Sequence, residues 1–408
     1  MFQVIRTLVS LGLLFACSTT ASPSGPVIDR RDAITCPYPY QNSSLVARQN
    51  SGGLSFTGSQ WIWTNERDAD TNKSPAGIRA FRKTFGPPEG KIPSTLKVAF
   101  AIDNDATLFV NGQEIAHEGD WFTAGTYCVP LKPCMNVIAL NVTNFAPSPA
   151  GLLVTAEVTY TDGSTSKIIS DGSWRASGAS IPGGWEQLSF DDSSWELAVN
   201  EGAYPKAPWG NIPIAGSDAV SLENARWIWT DEATANTPAN VPAGARALRR
   251  TVILPPGHTS ASAEFLIAGD NQYSVYVNGR FVGSGNGFHA AKRFTIDNIQ
   301  GPNVVIAVYG VNNLPSPAAV LFSMQITSTN PSYSCLPDCS SVTYVISDAQ
   351  WKANRGVPNG FEQSNFDDSA WPAAVIEGTI DTSPWAPVST PTEVSGPGAP
   401  LSGAPAGN

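Results

Sequence analysis

The stretch Leu108-Phe-Val-Asn-Gly-Gln-Glu-Ile115 reads as a β-hairpin, and its design returns as Tyr276-Val-Asn-Gly-Arg-Phe-Val282. Asn-Gly accepts the positive φ angles that a type I′ turn needs, so one strand folds straight back on the next. Strand periodicity surrounds both turns. Leu96, Val98, Phe100 and Ile102 alternate with other residues, and Phe265 and Ile267 do the same in the second region. Val137-Ile-Ala-Leu-Asn-Val142, Leu153-Val-Thr-Ala-Glu-Val-Thr-Tyr160 and Val304-Val-Ile-Ala-Val-Tyr309 are further strands. No helix-period segment exceeds about two turns.

The hairpin is one part of a long internal duplication. Trp61-Ile-Trp63-Thr64 recurs as Trp227-Ile-Trp229-Thr230, an offset of 166. Asp103-Asn104 recurs as Asp270-Asn271 at offset 167, and Pro147-Ser-Pro-Ala150 as Pro315-Ser-Pro-Ala318 at offset 168. Trp174 then matches Trp351 at offset 177, so the second copy carries an insertion near Cys335 and Cys339. Phe190-Asp-Asp-Ser-Ser-Trp195 matches Phe366-Asp-Asp-Ser-Ala-Trp371, and Ala207-Pro-Trp209 matches Ser383-Pro-Trp385. Each copy has the size of one domain, and many short strands with turn signals between them predict an all-β fold of two tandem β-sandwich domains.

The expected division is residues 1–21 as a signal peptide, 22–57 as an irregular segment and 58–210 as the first sandwich. A linker over 211–223, the second sandwich over 224–388 and a Pro/Gly/Ser-rich disordered tail over 389–408 follow. Arg6 with the short apolar run Leu8 to Cys17 has the pattern of a secretory leader and is too short to span a bilayer. Arg30-Arg31 reads equally as a pro-peptide cut or as a surface pair. A secreted, extracellular protein with no membrane span is the expectation. In 408 residues the net charge is −10 and charged residues make up 14%, which disfavours nucleic acid as a partner and excludes a disordered chain.

Export permits disulfides, and the local spacings suggest Cys128–Cys134 and Cys335–Cys339, leaving Cys36 over. Asn42, Asn72 and Asn141 stand in glycosylation sequons.

The ordered set Trp-Ile-Trp, Arg-Lys-Thr-Phe, Asp-Asn, Val-Asn-Gly, Asn-x-x-Pro-x-Pro-Ala, Asp-Gly-Ser-Trp and Phe-Asp-Asp-Ser-x-Trp resembles the jelly-roll domains attached to α-L-rhamnosidases, which are galactose-binding-like β-sandwiches. The resemblance extends to the calcium-dependent, L-rhamnose-binding carbohydrate-binding module family and covers both copies. It implies that Asp103-Asn104 and Asp270-Asn271 contact a sugar and help hold calcium. A carboxylate and an amide oxygen are hard ligands of the kind calcium takes; the alternative is an Asx turn after a strand. Asn144 and Asn312 precede the Pro-Ser-Pro-Ala loop and are candidates for both sugar and metal, or for a loop role alone. Trp121 and Phe288 fall at matching places after the hairpin, as stacking platforms for a sugar or as core aromatics.

Adjacent acids such as Asp191-Asp192 and Asp367-Asp368 point to opposite faces of an extended chain, so they do not make a glycosidase pair. The sequence therefore predicts a secreted, non-catalytic, lectin-like protein with two calcium-assisted sites for rhamnose-containing or other cell-wall glycans. The alternatives are a secreted glycoside hydrolase of the α-L-rhamnosidase type and a structural wall protein whose sandwiches lack sugar sites.

Overall fold

The computed structural model describes residues 53–178, 180–333, 336 and 339–407. The proposed leader, Cys36, Asn42, Arg30-Arg31 and Cys335 lie outside the described residues. The fold is all-β, as the alternation predicts. The first copy contains β1 (Gln60–Trp63), β2 (Gly77–Phe85), β3 (Pro93–Asp103), β4 (Asp105–Val110), β5 (Gln113–Glu118) and β6 (Thr126–Pro130). It continues with β7 (Asn136–Asn144), β8 (Gly151–Tyr160), β9 (Thr165–Ile169), β10 (Arg175–Ser177), β11 (Glu196–Leu197) and β12 (Val199–Ala203). The second contains β13 (Arg226–Trp229), β14 (Gly244–Ile253), β15 (Ser260–Val277), β16 (Arg280–Gln300) and β17 (Asn303–Asn312). It ends with β18 (Ala319–Thr329), β19 (Ser340–Ile346), β20 (Lys352–Asn354) and β21 (Val375–Thr379).

In the first copy, β12-β1-β8-β3-β6 forms one sheet and β11-β10-β2-β7-β4-β5 the other. Trp63, Phe81, Phe100, Leu140, Leu152 and Trp174 from both sheets meet in the core between them. The second copy repeats this with fewer breaks. β15 alone does the work of β3 and β4: its first half pairs with β18 and its second half with β17. A strand that switches sheets turns a corner of the sandwich. The corner falls at Asp270-Asn271, and in the first copy at Asp103-Asn104, where β3 ends and β4 begins. Both Asp-Asn peptide bonds are cis.

The Asn-Gly turns form as predicted. Asn111 and Gly112 have φ of 54° and 86°, and Asn278 and Gly279 have 46° and 81°. Each turn Asn also accepts a backbone N–H from the neighbouring strand: Val137 at 3.0 Å in one copy and Val305 at 2.7 Å in the other.

Two expectations need correction, the cysteine pairing and the disordered tail. Cys128 pairs with Cys339, not with Cys134, so this disulfide joins the two copies across 211 positions and does not staple a local loop. Cys134 is also disulfide-bonded. The Cys128–Cys339 bond is short-range in space because β6 and β19 meet edge to edge, with Thr126 opposite Val342. The expected linker, residues 211–223, is bonded to both copies. Ala124 exchanges backbone bonds with Pro213 and Ala215, while Gln325 of the second copy accepts from the Gly216 amide at 3.1 Å.

The tail is ordered. Ser389 bridges to Ala290, the Pro397 carbonyl accepts from the Ser284 amide at 2.9 Å, and the Tyr276 hydroxyl donates to Pro405 at 2.5 Å. Its Leu401 and Ala404 cover the aromatic face formed by Tyr276, Tyr309 and Phe361. Among the described residues no helix is long and apolar enough to cross a membrane.

Candidate functional site

The sandwich corner places the same constellation twice. In the first copy Asp103 Oδ2 accepts from the Trp209 indole N–H at 2.9 Å, and Oδ1 accepts from the Asn104 amide at 2.7 Å. Asn104 Oδ1 in turn accepts from the Phe145 backbone N–H at 2.9 Å. In the second, Asp270 Oδ2 takes the Trp385 indole at 2.9 Å, Oδ1 takes Asn271 at 2.7 Å, and Asn271 Oδ1 takes the Asn313 amide at 2.8 Å. Asp103 and Asp270 are buried, at 8% and 6% exposed. Burial pushes both carboxyls up, and the indole bond partly opposes it.

The tryptophans that hold these acids stack on the first strand of each copy. Trp61 and Trp209 lie 4.2 Å apart at 25°, and Trp227 and Trp385 lie 5.0 Å apart at 33°. Trp61 packs against Gly151, where a Cβ would stand 2.8 Å from its ring and 3.1 Å from Trp209. The second copy has Ala319 there, and its ring pair is more open.

Trp121 is half-buried against the Trp61 and Trp209 cluster, and Phe288 against the Trp227 and Trp385 cluster. Each predicted aromatic therefore packs on the cluster that contains the tryptophan bonded to its Asp-Asn corner. The rings are partners of the core as much as free faces. Phe122, next to Trp121, lies under the Arg226 guanidinium at 4.9 Å.

Asn144 and Asn312 sit beside the corner and face inward, each 1% exposed. Asn144 donates to the carbonyls of Ser74 and Pro75 at 3.0 and 3.2 Å and accepts from Ser148. Asn312 does the same with Val241, Pro242 and Ser316. Their polar atoms anchor the Pro-Ser-Pro-Ala loop.

A calcium ion needs six to eight oxygens. Each ionised carboxylate oxygen keeps a lone pair beyond the one already used. The Asp and Asn of each corner therefore fit as part of a hard-oxygen shell, while Asn144 and Asn312 are buried with their amides turned to the Pro-Ser-Pro-Ala loop. No group of three or more His, Cys, Asp or Glu placed to hold a metal occurs among the described residues.

The Asp-Asp pairs serve the fold. Asp192 Oδ2 accepts from Arg82 Nε at 2.8 Å, and Arg82, fully buried, also donates to the carbonyls of Trp185, Gln187 and Phe190. Arg249 and Asp368 repeat this with Phe361, Gln363 and Phe366. Asp191 and Asp367 cap the turn by accepting the amides of Ser193 and Ser369. A groove of about 640 Å³ beside Glu66 and Trp195 belongs to the first copy and does not include Asp103. Of the sequons, Asn72 is exposed, and Asn141 is half-buried on β7 with its side-chain oxygen inside and unpartnered.

Two features escaped the sequence reading. Phe145, whose amide binds Asn104, leaves 66% of its surface in water at the rim of the first corner. Glu201 and Glu377 are buried beside the first strand of each copy, at the bulge between the pairs of β12 with β1 and of β21 with β13. Burial pushes the Glu377 carboxyl up to about 8, and the charge of Asp270 adds to the effect.

No protein-family model matches the sequence. An alpha-L-rhamnosidase from Streptomyces avermitilis is 31% identical over 225 residues, which is 52% of this chain. The chain is thus similar to a part of that rhamnosidase. The chain spans only 19% of that relative's length. Among solved structures, a lectin from Pleurotus ostreatus in complex with GalNAc is 31% identical, covering 84% of this chain and 97% of its own, with a TM-score of 0.39. The Streptomyces avermitilis alpha-L-rhamnosidase complexed with L-rhamnose is 22% identical, covering 80% of this chain and 33% of its own, with a TM-score of 0.36.

Proposed function

We propose that the chain is a secreted, lectin-like carbohydrate-binding protein with one sugar site at the Asp-Asn corner of each sandwich. The observation that carries this reading is the twice-built constellation of a nearly buried carboxylate, held by an indole, beside an amide and a packed aromatic. Sugars are bound by a few oriented polar groups next to an aromatic face. Asp103 and Asn104, and Asp270 and Asn271, supply the polar groups. Trp121 with Phe145, and Phe288, supply apolar surface. Asn144 and Asn312 position the loop.

The partial identity to a rhamnosidase supports carbohydrate as the ligand class and rhamnose-containing glycans as the first to try. Calcium, when bound, would supply a hard positive centre for vicinal hydroxyls, with Asp103, Asn104, Asp270 and Asn271 among its ligands. The leader-like start of the sequence and the disulfide joining the copies support an oxidising, extracellular location. Two weak sites on one chain raise the apparent affinity for a polymer when both can engage.

The test is a glycan array probed with the mature chain in calcium and in EDTA. Rhamnose-containing or other wall glycans are expected to retain the chain in calcium, and Asp103→Ala with Asp270→Ala to abolish retention. Retention unchanged in the double variant would reject these sites.

A further inference from the structure

The first sandwich has a groove of about 640 Å³ between the end of β1, in one sheet, and the β10-β11 edge of the other. Asn65, Glu66, Ser177, Gly178, Trp195 and Glu196 line it. Its volume lies within the roughly 300–1,000 Å³ range of ligand sites. Its inner wall is a frame that both copies share. Arg79 donates to both carboxylate oxygens of Glu66, and Thr64 donates to one of them. Arg246 and Thr230 hold Glu232 in the same way.

At the rim the copies part. Asp231 stands for Asn65, and Arg355 for Gly178. Arg355 Nε lies 2.7 Å from Asp231 Oδ1 and its Nη2 3.0 Å from Oδ2, a bidentate pair laid across the equivalent place of the second copy. The first copy has no side chain there. A Cβ on Gly178 would stand 2.5 Å from Glu66 Oε2, so the carboxylate reaches into the space where the Arg355 side chain begins in the other copy. The Glu66 side chain is 34% exposed, against 12% for Glu232.

Charge follows the same change. Arg79 offsets Glu66, Glu196 has no ion pair among the described residues, and no Lys or Arg stands among the described residues that line the groove. Pro372 takes the place of Glu196 in the second copy. Arg175, outside the lining, donates to the Trp195 carbonyl at 2.8 Å. The groove thus keeps its acids and lacks the guanidinium that the second copy supplies from its own chain. Trp195 adds an aromatic wall, while Asn65 and Ser177 add an amide and a hydroxyl, groups suited to the face and the hydroxyls of a sugar ring.

We infer that this groove is a further binding site, present in the first sandwich alone, for a cationic amino sugar whose ammonium takes the place that Arg355 fills in the second. The site is separate from the Asp103 corner, whose residues do not line it, and it needs no calcium. A ligand that carries hydroxyls and a positive charge matches the groove, whereas an acidic glycan is repelled by it.

Glucosamine trimer is titrated calorimetrically into the full chain in EDTA, at mildly acid pH and low salt. N-acetylglucosamine trimer and trilysine serve as controls, and melting temperatures check folding. Glucosamine trimer should bind at least tenfold more tightly than either control, and Asp103→Ala with Asp270→Ala should leave its affinity within twofold. Asn65→Asp with Gly178→Arg, which installs the second copy's ion pair, should weaken it at least tenfold. Because Gly178→Arg crowds Glu66, Glu196→Gln at an exposed position is measured beside it and should weaken binding at least threefold. No heat from glucosamine trimer would overturn the inference. So would equal affinity for the neutral trimer, tighter binding of trilysine, affinities within twofold in both groove variants, or loss of binding in the corner double variant. Failure of L-rhamnose to bind at the corners would leave this site standing.

Discussion

The two sandwiches share a frame and differ at its rim. Both corners have the same Asp-Asn hydrogen bonds to within 0.1 Å, and both hide an Arg-Asp pair behind the second sheet. Around that frame the side chains diverge. Gly151 lets Trp209 close on Trp61 in the first copy, where Ala319 stands in the second. Exposed Phe145 becomes Asn313, whose amide makes the same bond. Arg67 and Lys206 become Ala233 and Thr382. The buried Glu118, bonded to Tyr127, becomes Gly285, whose place is filled by the Tyr273 ring. The difference teaches that the backbone corner is what the duplication preserved, while charge and apolar surface at each site were free to separate.

The largest effect should come from the shared frame. Arg82→Ala and Arg249→Ala each leave a carboxylate and several carbonyls without their donor, at a cost of about 3–5 kcal/mol. Chemical denaturation of the two variants should give similar losses if the copies are equivalent at depth. Next comes the bond between them. Cys128→Ser, or Cys339→Ser, should cost about 2–4 kcal/mol and separate the unfolding of the two copies in calorimetry. A single unchanged transition would show that the sheet contact and residues 211–223 suffice.

Gly151→Ala brings the second copy's residue into the first and should cost about 1–3 kcal/mol by overpacking against Trp61 and Trp209. The reverse, Ala319→Gly, should be far milder, and unfolding curves for the pair measure the asymmetry. Glu118 sharpens the contrast through pH. Burial pushes its carboxyl up to about 8 in the folded chain. Its stabilising contribution is thus full below the ordinary carboxylate range and is lost as pH rises toward about 8, because the folded state holds a proton that the unfolded state releases. Melting temperatures from pH 5 to 8 should fall, and less steeply in Glu118→Gln. The smallest effect on stability is expected for Phe145→Ala, within about 0.5 kcal/mol because the ring stands in water. Its signature is a weaker sugar site in the first copy alone.

Much of this was legible in the residues. Alternation and the Asn-Gly pairs fixed the strands and hairpins, and the repeated motifs fixed two copies. The paired Asp-Asn positions pointed to the corner, although the indoles of Trp209 and Trp385 that hold them come from more than 100 positions away. The disulfide was not legible, because spacing favours near neighbours and nothing local says that β6 and β19 adjoin. The tail read as disordered from its composition, yet its carbonyls meet Ser284 and Tyr276, donors that no pattern in the tail announces. Glu201 and Glu377 gave no signal because each sits in a bulge, out of the strand period.

The most direct test is a calorimetric titration of L-rhamnose into the mature chain, in calcium and in EDTA, with Asp103→Ala and Asp270→Ala measured beside the wild type. Calcium-dependent heat with about two sites, of unequal affinity and each lost in one variant, is the predicted result. Heat that survives in both variants, or no heat from rhamnose with calcium present, would contradict two rhamnose sites at the sandwich corners.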